Sequence, residues 1–126
     1  MNGADFVADT NALLYLLCGN ECMRPYLSNR LGVSIISEME LLSFPQADDQ
    51  EEENIRALVR DCTRFPLDNR IKSKAILLRK QYRIKLPDAI IVATALENAL
   101  PLLSADKALR KITELDLHLL EPTPQS

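Results

Sequence analysis

One histidine, three glycines and three cysteines in 126 residues remove several kinds of chemistry at the outset. With His118 alone and Cys18 only four residues from Cys22, a zinc site built from Cys and His is improbable. An odd, sparse set of cysteines reads as reduced thiols and not as a disulfide framework. Gly3, Gly19 and Gly32 form no glycine-rich loop after a first strand, which disfavours a nucleotide-cofactor binder. No apolar run approaches the roughly 18 residues that a membrane span requires. The opening "MNGADFVADTN" carries acids and no basic stretch, so a signal peptide is not expected and the expected location is the cytoplasm. The formal charge of -3 argues against a broadly basic nucleic-acid coat, although it leaves a local basic groove open.

What is present is a globular composition. Apolar residues make up 47%, enough for a real core in a chain of this length. One domain over 1–122 with a loose tail at 123–126 is the expected organisation.

Short β-favouring runs alternate with helical periodicity. Strands are expected at about 5–9, at "GVSII", at "RFPL", at "PLLSAD" and at "LHLLEP". "TNALLYLLC" is apolar nearly all round and reads as a buried helix, followed by a short helix near 22–31. "SEMELLSF" opens on Ser37 as a cap. Ile55, Leu58, Val59 and Cys62 give 49–63 a helical stripe, with acids in its first turns to suit the helix dipole. Further helices are expected at 69–82, at about 87–99 and, briefly, at "KALRKI". His118 reads as a strand surface residue, and Met23 and Met39 read as core filler. Strands alternating with helices imply α/β layering around a mostly parallel sheet with right-handed crossovers.

In such folds ligands gather at the carboxyl ends of the strands. Asp9 is expected to end the first strand and Asp106 the fourth, while Glu38 and Glu40 follow the second. Asp88 heads a helix, but two helices separate it from the third strand, so its arrival at the same edge is not forced. Each acid alone could be a helix cap or a solvated side chain. Converging acids need a counter-charge, and Mg2+ or Mn2+, which prefer oxygen ligands, would supply one. Two other phosphate chemistries fit less well. A receiver needs an acid pair after the first strand, and a dehalogenase-like phosphatase needs Asp-x-Asp where "DTN" stands.

The segments "FVADTNALLYLL", "SIISEMELLSFP", "KLPDAIIVATAL" and "PLLSADKALRKI" together resemble the PIN domain family, and its VapC-type toxins in particular. The resemblance runs over nearly the whole chain in family order. It implies a three-layer α/β/α fold around a central, mostly parallel five-stranded sheet. It implies a Mg2+- or Mn2+-dependent ribonuclease, with RNA as substrate, a possible cognate antitoxin, and a homodimer meeting near Leu13 to Leu31. By the same resemblance Asp9, Glu40, Asp88 and Asp106 are the catalytic, metal-binding acids, and Thr10, Asn11 and Ser104 support them. The alternative is a catalytically inactive or orphan PIN-like nucleic-acid-binding module.

Nucleic acid has a candidate path. Segment 70–85 holds seven basic residues and no acid, and "KALRK" follows Asp106. Phosphate contacts there would give affinity without sequence information. Lys85, three residues before Asp88, and Lys107, beside Asp106, are the candidate contacts; a solvated helix face is the plainer alternative for most of the others.

Overall fold

The computed structural model describes residues 3–45 and 47–124. Five short strands form one sheet: β1 (Phe6–Ala8), β2 (Leu31–Ser34), β3 (Thr63–Phe65), β4 (Leu102–Ser104) and β5 (Leu117–Leu119). The order is β3-β2-β1-β4-β5, and every neighbouring pair is parallel. The α-helices are α1 (Thr10–Leu17), α2 (Ile35–Leu42), α3 (Asp49–Asp61), α4 (Asn69–Tyr82) and α5 (Leu86–Glu97). Two 3-10 turns, Glu21–Tyr26 and Lys107–Lys111, complete the set.

Side chains alternate across the sheet, as a pleated strand requires. Val7 and Leu102 face a core built with α4 and α5. Ala8, Leu31, Val33 and Leu103 face the other core, with α1, α3 and Met23. The result is three layers, α/β/α. Gly32 sits under the ring of Phe65, where an added Cβ would come within 2.4 Å of a ring carbon.

Several expectations move. The isoleucines of "GVSII" leave the strand and start α2, because Ser34 and not Ser37 is the cap: its hydroxyl accepts from the Ser37 amide at 3.2 Å. The apolar helix α1 is not buried all round; only Ala12 and Leu13 are fully covered. Leu14 and Leu17 instead line an open groove of about 570 Å³ with Cys18, Phe44, Pro45 and Ile55. Met39 points outward at 58% exposure, on the face of α2 away from the core, whereas Met23 is core. Of the segment expected to pair two protomers, Leu13 and Leu31 are buried within the protomer and Leu27 is exposed. His118 is half-exposed on β5, its ring edge-on to Phe6 at 5.0 Å. The tail is held at its first residue: Asn20 donates to the Thr123 carbonyl at 3.0 Å and accepts from the Thr123 amide at 3.1 Å. The rest of the expected loose tail lies partly outside the described residues.

The helix buried on every side is α5, through the unbroken run Ala89 to Ala95. It lies between the sheet and α4, and alanines at 89, 93 and 95 let it approach closely. Its exit is a tight link. Ala99 takes a left-handed φ of 54°, and the Leu100 amide reaches back to the Ala95 carbonyl at 2.9 Å, a Schellman-type end. Pro101 then accepts from the Val7 amide at 2.9 Å, which sets β4 beside β1.

A left-handed alanine is strained where glycine is not. Ala99→Gly should therefore stabilise the fold by about 0.5–1 kcal/mol after the extra freedom of glycine in the unfolded chain is counted. Urea denaturation checks this; an unchanged or lower midpoint would show that the strain is absent.

Candidate functional site

The strand order reverses at β1, whose neighbours β2 and β4 are reached by crossovers in opposite directions. A crevice opens at the carboxyl ends of the strands beside such a reversal. Asp9 directly follows β1, and Asp106 lies two residues beyond β4. Neither belongs to its strand. Each caps what comes next: Asp9 Oδ1 accepts from the Ala12 amide at 2.8 Å, and Asp106 Oδ1 accepts from the Ala108 amide at 3.0 Å. One oxygen of each carboxylate is thereby committed to backbone.

Asp88 arrives at the same edge for a reason that lies downstream of it. Since β4 is parallel to its neighbours, it begins at the amino edge, and α5 must end there to feed it through the short link at Asn98–Pro101. Twelve helical residues span about 18 Å, so the first turn of α5 returns to the carboxyl edge. Asp88 is in that turn but is not its cap; Lys85 holds the cap position and makes no side-chain cap bond. The exposed amides of a helix start favour a negative charge there.

Glu40 comes from the second turn of α2, within the first turns of the helix after β2, and is exposed. It is tied to α1 through Thr10, whose Oγ1 bonds Glu40 Oε1 and lies 3.0 Å from Ser37 Oγ. Glu38 takes no part in this contact.

Electrostatics link the four acids. Burial raises the Asp9 carboxyl above the ordinary value of 3.8; bonds from Ser104 and the Ala12 amide oppose this, and the charges of Asp88 and Asp106 add to it. Burial raises Asp88 as well, with Asp106 and Glu40 pushing the same way and Lys85 opposing. Asp9 and Asp88 thus feel charges delivered by other elements. Ser104 is fully buried; it accepts from the Asp106 amide at 3.0 Å while its proton goes to Asp9, so one hydroxyl joins two acids.

Among the described residues no three Asp, Glu, His or Cys side chains stand as a set that could hold one ion directly. The donor set still has the chemistry of a hard cation: carboxylate oxygens, mutual repulsion, and no soft ligand beside them. Mg2+ in particular keeps several waters and takes only one or two carboxylates directly, so separated acids suit it.

Lys85 is exposed and its charge reaches Asp88. Lys107 is exposed and opens the 3-10 turn that Asp106 caps. Asn11 is exposed on α1 with no bond to the acids. Ser37 was missed as part of the site; its place three residues before Glu40, on one helix face, is the signal that could have found it. None of the four acids lines the apolar groove beside α1.

The PIN domain family model matches residues 6–115. No curated protein sequence matches the chain. Among solved structures, a toxin-antitoxin complex from Klebsiella pneumoniae is similar at 27% identity and a TM-score of 0.76, covering 87% of this chain and 94% of its own. VapBC2 from Rickettsia felis, bound to a promoter DNA fragment, is similar at 16% identity and TM-score 0.80, covering 92% and 98%. VapBC-1 from nontypeable Haemophilus influenzae gives 23% identity and TM-score 0.75, covering 90% and 96%. The last two likenesses speak to fold alone. Among the described residues no helix is long and apolar enough to cross a membrane.

The raised carboxyls carry a sign that can be tested without metal. A carboxyl raised in the folded state makes the fold most stable below its ordinary value of 3.8, and that stability is lost as pH rises through the folded value. At neutral pH the metal-free protein therefore carries a penalty at Asp9 and Asp88. Asp9→Asn, which keeps a good cap, and Asp88→Asn should each melt a few degrees higher than the parent at pH 7. The difference should shrink as pH falls toward 4. Melting curves from pH 4 to 8 measure this, and a variant less stable at pH 7 than at pH 4 relative to the parent would contradict it.

Proposed function

Because the chain belongs to the PIN domain family, we propose that it is a metal-dependent ribonuclease and the toxin of a toxin–antitoxin pair. The observation that carries the reading is the convergence of Asp9, Glu40, Asp88 and Asp106 from four elements at one sheet edge, with Asp9 and Asp88 raised in part by the other acids. The toxin-antitoxin complex from Klebsiella pneumoniae named above supports the biological half.

Asp9 and Asp88 are the acids best placed to hold a divalent ion, with Glu40 and Asp106 completing the charge and Thr10 and Ser104 fixing their partners. Asn11, exposed at the start of α1, is assigned a supporting role by the family resemblance alone. Bound Mg2+ or Mn2+ would lower the pKa of a water and stabilise charge on a phosphate oxygen. The chain supplies the rest. Asp9 and Asp106 are held by backbone amides, so their free oxygens keep a fixed direction. Asp88, in the first turn of α5, can accept the proton of an attacking water at the carboxylate oxygen it does not give to the ion. Lys85 and Lys107 flank the acids and can hold phosphates on either side of the scissile bond. The apolar groove beside α1 offers a seat for apolar side chains of an antitoxin helix. Pairing as a homodimer belongs to the same reading.

Two measurements test it. With Mn2+ present, Asp9→Asn and Asp88→Asn should each cut RNA more slowly by about a hundredfold or more while remaining folded, read on a denaturing gel. If Asp9→Asn bound Mn2+ and cut RNA like the parent, the acids would be helix caps and nothing else. Lys85→Ala should weaken RNA binding evenly across sequences and reduce the salt slope by about one phosphate contact; an unchanged slope in filter binding would remove Lys85 from the RNA path.

A further inference from the structure

Ser37 is fully buried yet polar, and neither the cap of α2 nor the four acids uses its hydroxyl. A serine inside a helix ordinarily turns its hydroxyl back to the carbonyl one turn earlier. Here it faces α1, 3.0 Å from Thr10 Oγ1. Thr10 Oγ1 also bonds Glu40 Oε1. The direction of this chain follows from counting protons. A hydroxyl owns one, and a carboxylate accepts without donating. The Thr10 proton therefore goes to Glu40, and the proton shared between Thr10 and Ser37 comes from Ser37. The order is Ser37 O–H to Thr10 O–H to Glu40.

We infer that Ser37 is a positioning residue for metal binding: through Thr10, its buried hydroxyl fixes the orientation of the Glu40 carboxylate toward the other acids. The inference rests on the nuclease reading of this site. Glu40 is exposed, carries its carboxylate on a longer stem than the three aspartates and is held by no backbone amide. Asp9 and Asp106 have their caps, and Asp88 has its buried helix. Without an external anchor, Glu40 would sample several rotamers. The anchor must itself be immobile, and Ser37 is: it lies in the interior, on the same helix face as Glu40 and one turn before it. The chain also locks α2 to α1, so that the element bearing Glu40 keeps its register against the one that Asp9 caps.

The test uses Mn2+ itself, titrated by calorimetry into the parent, Ser37→Ala, Thr10→Val, Thr10→Ser and the double variant Ser37→Ala/Thr10→Val. Ser37→Ala leaves no orphaned polar group, because Thr10 still donates to Glu40; it is expected to fold like the parent, and metal-free melting curves verify this for every variant. Ser37→Ala and Thr10→Val should each weaken Mn2+ binding about tenfold, as loss of an outer-shell partner does. Thr10→Ser keeps the hydroxyl and should bind like the parent. Since Ser37 acts through Thr10, the double variant should be no weaker than Thr10→Val alone. A Ser37→Ala isotherm equal to the parent's would overturn the inference and leave the nuclease reading standing. So would additive losses in the double variant, because they would show that Ser37 does not act through Thr10. A parent that binds no Mn2+ would overturn the function and this inference together.

Discussion

Mutual repulsion among carboxylates is the constraint that the architecture has to meet. Burial and the charges of neighbouring carboxylates raise the cost of ionising Asp9 and Asp88, and a flexible chain would relieve that cost by moving the acids apart. They stay because each is held by something other than its neighbours. Asp9 and Asp106 are held by amides of the turns that they start. Ser104 ties those two together from beneath. The question of whether such an aspartate is a cap or a site member therefore has a physical answer: one oxygen caps, and the cap holds the other in place. Capping an N-terminus contributes about 1 kcal/mol, which helps to offset the repulsion that the same residue brings.

Asp88 is held by a different means. No cap bond fixes it; the helix behind it does. Seven consecutive buried residues, Ala89 to Ala95, leave α5 no face on which to slide or rotate. Thr94, the polar member of that run, satisfies its hydroxyl internally on the Ile90 carbonyl at 2.7 Å. A charge at the head of so apolar a helix is thus placed by the packing of the whole layer, and the left-handed Ala99 at the far end fixes where the helix stops.

Much of this was legible in the residues. The alternation of strand and helix, the 69–82 helix and the acids at strand ends follow from periodicity and turn chemistry. The arrival of Asp88 was also legible, but backwards: counting forward from β3 crosses two helices, whereas counting back from β4 crosses only a short link. What local pattern hid was decided by tertiary contact. Ser34 and Ser37 are both acceptable caps, and only the geometry of β2 against β3 shows that the strand ends early and Ile35 begins the helix. The leucines of α1 look interior, yet half of them border an open groove. Met39 looks like core filler but faces solvent, since the helical phase of α2 is set by Ser37 and Leu41 facing inward.

Charge shows the same division between total and place. The chain is acidic overall at -3, and the run at Asp48–Glu53 contributes strongly to that sum. Yet those acids begin α3, where the dipole favours them, and Glu52 and Glu53 pair with Arg56 and Arg60 on the same helix. Six of the seven bases of 70–85, all but Lys72, divide too. Lys74 bonds Glu114 at 2.9 Å, Arg70 lies 3.9 Å from Asp68, and Arg79 donates to the Ile84 carbonyl at 3.3 Å. Those three serve the fold. Lys80, Arg83 and Lys85 lie instead along the stretch where α4, ended by the left-handed Arg83, turns into α5. That stretch adjoins the end of α5 that carries Asp88. Lys85 is the base whose charge reaches Asp88, and such local charges set the field at the acids more than the total does, because at physiological salt charges more than about 8 Å away are largely screened.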